Sequence, residues 1–138
     1  MKLQVAALRS LGLDRRFAPR VISSGPAAWR FARVADLPDG HPLVFNALQF
    51  GQKTPEGIID SAWTNVGRAH EVVHEHPGAR WLTVAVGPAG GPTGQAFTRA
   101  VEVMHDGELN VVAPSVDAVA AALVRFGLGH EHGVAEAK

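Results

Sequence analysis

His70-Glu71-Val72-Val73-His74 is the stretch of this chain whose residue types and spacing are suited to chemistry. Residues four apart share one face of a helix, so on a helix both imidazoles can bind one zinc ion while Glu71 reaches a metal-bound water. That arrangement is the core of a zinc-dependent hydrolase, with His70 and His74 as ligands and Glu71 as the catalytic general base. Catalytic zinc takes three protein ligands and keeps one position open. Glu102 and His105 are the best-spaced candidates for the third, on a neighbouring strand or turn. The longer zinc-binding form, with glycine three and histidine six residues after the second His, is not met, since those places hold Pro77 and Arg80. Alternatively, His70 is a core histidine with one hydrogen bond, and His74, Glu75 and His76 decorate a helix end where the dipole favours His.

A second stretch, Gly87-Pro88-Ala89-Gly90-Gly91-Pro92-Thr93-Gly94-Gln95, follows an apolar strand. It lacks the Lys and Ser or Thr of a phosphate-binding loop, and its two prolines remove N–H donors that would hold a phosphate. The pattern predicts a flexible hairpin loop, with Gly90, Gly91 and Thr93 as the residues of a possible ligand lid. His130-Glu131-His132 repeats the His74-Glu75-His76 triplet in a small, polar terminal segment, and short His tracts scavenge metal without further role. Ser23, Ser24 and Ser61 sit in no nucleophile-elbow pattern. Trp29, Trp63 and Trp81 read as core residues.

Composition narrows the classes further. With 13 basic and 13 acidic residues the formal charge is zero, so the footprint of a nucleic-acid or anionic-membrane binder is missing. The absence of cysteine excludes disulfides, thiol catalysis and Cys-ligated metal. The first residues lack the apolar core of a signal peptide and no run is long enough for a membrane span, from which a cytoplasmic location is expected.

The elements that must position these residues follow from periodicity and punctuation. A short helix over 2–11 stops at Gly12, and Val21-Ile22 is a brief strand. Trp29, Phe31 and Arg33 alternate with Arg30, Ala32 and Val34, which predicts a half-buried strand over 29–34, returning through a turn at Asp36 to Pro42 as a partner strand over 43–50. Thr54 caps a helix predicted over 55–76 whose apolar stripe is Ile59, Ala62, Trp63, Val66, His70 and Val73. Residues 81–86 read as a central strand, 97–104 and 109–112 as a hairpin turning at Asp106-Gly107, and Val116 to Phe126 as a helix capped by Ser115.

The expected architecture is a single α+β domain over 1–128, with a flexible tail over 129–138. It would hold an antiparallel sheet of five to six strands with a long central helix and a C-terminal helix packed on it. The order of elements is similar to that of roadblock and profilin-like regulatory domains, and the resemblance implies a small, often dimeric interaction module. The function expected from the sequence is thus a non-catalytic domain acting by self-association or by binding a protein or small ligand, without cofactor, nucleic acid or membrane. The alternative is a minimal zinc hydrolase built on His70, Glu71, His74 and Glu102.

Overall fold

The computed structural model describes residues 2–50 and 54–128. Four helices, α1 (Lys2–Ser10), α2 (Pro55–Glu75), α3 (Gly91–Asp106) and α4 (Val116–Arg125), pack on a five-stranded sheet. Its strands, β1 (Ala18–Ser24), β2 (Ala27–Asp36), β3 (Pro42–Gln49), β4 (Arg80–Val86) and β5 (Asn110–Val112), lie side by side in chain order. The fold is α+β with a mixed sheet, which corrects the antiparallel expectation. β1, β2 and β3 pair antiparallel through short turns, whereas β3 with β4 and β4 with β5 are parallel.

One parallel step follows from α2, the crossover helix between β3 and β4; the other comes from residues 91–106. These residues form helix α3 rather than a loop followed by a hairpin strand, and a strand that leads into a crossover helix must return parallel. Gly91, Pro92 and Gly94 lie in its first turn, where proline costs nothing because the N–H has no partner there anyway. Gly94 is required for another reason: a Cβ would stand 2.8 Å from the carbonyl carbon of Ala89. Asp106-Gly107 ends the helix instead of turning a hairpin, and Gly107 is its C-cap. Here too a side chain has no room, since a Cβ would lie 2.7 Å from Val66 Cγ1.

Two successive crossovers of the usual right hand, stepping the same way across a sheet, place both helices on one face. α2 and α3 do share a face, burying Ile58, Ala62, Val66, Ala69, Val72, Ala100, Val103 and Met104 against Phe31, Val34, Val44 and Trp81. α1 and α4 cover the other, with Ala7, Leu8, Val119, Ala122, Leu123 and Leu128 on Leu43, Phe45, Leu82 and Val84. The alternation of β4 between the two layers is what its continuous apolar run required.

The stripe of α2 differs from the expected one by a rotation. Ile58, Asn65, Ala69 and Val72 face the core with Ala62 and Val66, while His70 is exposed and Trp63 is 56% exposed. Trp63 is therefore not a core residue. Trp29 is half-buried against the α2 layer, and Trp81 is buried edge-to-face with Phe31 at 5.1 Å.

Candidate functional site

Helix α2 does carry the H-E-x-x-H residues on successive turns near its C-terminus, but they are on its outer side. His70, Glu71 and His74 are all exposed. His70 Nε2 lies 2.7 Å from the Gly107 carbonyl at the end of α3. A carbonyl only accepts, so Nε2 carries the proton and the ring's lone pair lies on Nδ1. The bond closes the C-terminus of α3 onto α2. His76 makes a similar bond, donating from Nε2 to the Ser23 carbonyl of β1 at 2.8 Å. Glu102 is exposed on α3, 3.7 Å from Arg99, and His105 borders an apolar groove with Phe97, Val101 and Pro114. Among the described residues no three His, Asp or Glu side chains come together as a metal site.

His130 and His132 lie outside the described residues. Protein purified without a polyhistidine tag is expected to carry less than about a tenth of an equivalent of zinc, because two exposed histidines without a third ligand make a poor site. Stoichiometric zinc by metal analysis, lost on His74→Ala, would instead establish a metal centre there.

Gly90 caps α3, and Gly91 and Thr93 belong to its first turn, so they form no hairpin loop. They leave the carboxyl end of β4, whereas His70 and His74 stand over its amino end. The seven residues of β4 separate the two by roughly 20 Å at about 3.3 Å per residue. Gly90, Gly91 and Thr93 therefore share no site with the histidines.

The arrangement suited to binding lies elsewhere, where the sheet splits. β2 and β3 pair only over Val34↔Val44, Ala35↔Leu43 and Asp36↔Pro42. Between Ala18↔Val34 and Arg20↔Phe31, β2 holds one residue more than β1. Such a bulge bends its strand, and this one turns β2 away from β3 while keeping Phe31 and Val34 on the same layer. Beyond it, Ala27–Arg33 stays with β1 and 45–49 stays with β4, leaving a cleft of about 500 Å³ between the arms.

Gln4 of α1 closes the narrow end. Its Nε2 donates to the Phe45 carbonyl at 3.4 Å and its Oε1 accepts from Arg33 Nη1 at 3.0 Å, so one amide spans β3 and the β2 side chain. Gln4 is only 2% exposed. Arg30, Arg33 and Arg68 line the cleft and no carboxylate does. Arg68 reaches it from α2, lying over the Trp29 ring at 5.6 Å. Among the described residues none of these three arginines has an acidic partner.

A smaller depression of about 250 Å³ shares Asn46, Leu48 and Arg68 with this cleft and adds Asp60, Ser61, Thr64 and Asn65. Beneath it Thr83 Oγ1 donates to Asn46 Oδ1 at 2.7 Å, Asn46 Nδ2 to Asn65 Oδ1 at 2.9 Å, and Asn65 Nδ2 to Thr83 Oγ1 at 3.1 Å. The ring is closed, and it fixes two amide side chains at the cleft wall. Sequence reasoning missed this site, since its residues are scattered over α1, β2, β3 and α2. The signal available was the polar Asn65 on the buried side of α2, which only pairing with Asn46 and Thr83 explains.

No family model, curated protein or solved structure matches this chain.

Proposed function

We propose that the protein is a non-catalytic binding module whose ligand is anionic and occupies the cleft between the arms of β2 and β3. The observation that carries this is the convergence of Arg30, Arg33 and Arg68 on one cleft with no acidic residue in its lining. Guanidinium groups are planar forks matched to carboxylate and phosphate oxygens, and like charges held together without counter-charge favour an anion between them. The position agrees with the rule for parallel strands, whose ligands lie near their carboxyl ends. Among the described residues no helix is long and apolar enough to cross a membrane.

The self-association expected from the sequence has a narrower basis. Val21 on β1 and Trp63 on α2 are the large apolar side chains exposed among the described residues. Single exposed apolar residues are ordinary on monomers.

Titration with citrate at low salt, followed by amide and arginine NMR signals, tests the anion reading. Shifts are expected to concentrate on 28–33, 45–49 and Arg68. They are expected to weaken by about tenfold in an Arg30→Gln/Arg68→Gln variant of unchanged melting temperature. Shifts spread over remote arginines such as Arg15 and Arg99, indifferent to those substitutions, would sink it.

A further inference from the structure

We infer that the anionic ligand is an extended acidic segment of a partner protein, which adds as a strand between β2 and β3; this rests on the anion-binding reading of the same cleft. Over 27–33 and 45–49 each strand has a neighbour on one side only, β1 for β2 and β4 for β3. In either kind of ladder alternate residues turn their N–H and C=O to the same side. Both arms therefore present donors and acceptors to the gap. A small anion accepts from the donors and leaves the carbonyls unserved, whereas a peptide backbone carries both groups and can serve both edges, as in recognition by strand addition.

Gln4 already illustrates the fit on a small scale. Its side-chain amide has the same donor and acceptor as a peptide group, and it sits at the closed end of the split, bonded to the β3 carbonyl of Phe45 and to Arg33. A peptide entering from the open end would continue from there. The arms are long enough, since five residues of strand span about 17 Å.

The arginines set the register. Arg33 is bonded to Gln4 of α1, which covers one face of the sheet, whereas Arg68 belongs to α2 on the other. Successive side chains of a strand point to opposite faces. Two adjacent acidic residues would thus direct one carboxylate to Arg68 and the other to Arg30 and Arg33. An acidic pair flanked by β-branched residues is the sequence chemistry such a site selects.

The test uses the full chain and a capped, fluorescein-labelled hexapeptide, TVDEVT, read by anisotropy. Two comparison peptides separate the contributions: TPDEPT keeps the charges but loses two backbone donors, and TVNQVT keeps the backbone but loses the charges. TVDEVT is expected to bind at least about tenfold more tightly than either, to weaken about fivefold or more with Arg68→Gln, and to slow amide exchange over 28–33 and 45–49. Equal binding of TVDEVT and TPDEPT, with citrate competing and Arg68→Gln weakening both, would overturn the strand while leaving the anion site in place. Binding of TVDEVT that ignores Arg30→Gln and Arg68→Gln overturns the inference. If neither citrate nor any peptide binds, both readings fall together.

Discussion

Replacing Phe45 by alanine is expected to lower the unfolding free energy by about 3–5 kcal/mol, the cost of emptying a large aromatic site in a packed core. Phe45 is 2% exposed on β3, beneath the α1 and α4 layer, with its ring edge-on to Phe17 at 5.8 Å. Its backbone carbonyl also holds Gln4 at the closed end of the cleft. The substitution therefore removes contacts for α1 and loosens the one amide that bridges the split. Urea denaturation provides the measurement, with an unchanged slope expected if the folded state keeps its compactness. Phe45→Leu, which retains much of the volume, should cost well under half as much. A loss below about 1 kcal/mol for the alanine variant would contradict the packing of α1 on the sheet.

Local signals in the chain located most elements, because each has its own punctuation. Thr54 accepts a hydrogen bond from the Gly57 N–H at 3.0 Å and Ser115 one from the Ala118 N–H at 3.0 Å, so both helix starts were readable as caps. The turn between β2 and β3 was readable from Pro38-Asp39-Gly40, where Asp39 accepts from the His41 N–H at 2.9 Å. Helix α3 was not readable, because three glycines and a proline at its start also describe a loop. Its packing includes a close approach between elements, Gly107 on Val66 of α2, which no local window records. Missing α3 inverted the direction of β5, whereas the parallel pairing of β3 with β4 was already implied by the α2 crossover.

The H-E-x-x-H pentapeptide shows the opposite failure, a legible pattern without a site. Its spacing puts His70 and His74 on one side of α2, but that side faces solvent. The stripe that packs runs through Ile58, Ala62, Asn65, Ala69 and Val72, and Asn65 is a residue that a hydropathy scale ranks low. The cleft was invisible for a third reason. Arg30 looks like a solvent position of a half-buried strand while Arg33 shares the phase of Trp29 and Phe31, and only the bulge that separates β2 from β3 brings both to one cleft with Arg68.

Asn65→Leu is expected to destabilise the fold by about 2–3 kcal/mol even though leucine is the more apolar residue. Asn65 and Thr83 are 5% and 0% exposed, and in their closed ring with Asn46 each side chain both donates and accepts. Removing Asn65 deprives the Thr83 hydroxyl of its donor and the Asn46 amide of its acceptor. Asn46, at the cleft wall, can turn to water. Thr83 cannot, and a buried hydroxyl with unmet capacity is where most of the cost arises. Thr83→Val keeps the shape and breaks two of the three bonds, including the one between Thr83 and Asn65. With that partner gone, the Asn65→Leu change should cost less. The double variant is therefore expected to fall short of the sum of the single ones by about 1 kcal/mol or more. The two alleles should also weaken citrate binding, since Asn46 would no longer be held at the cleft wall. Strict additivity in urea denaturation would mean that the ring does not act as a unit, and that Asn46 is positioned by the β3–β4 ladder alone.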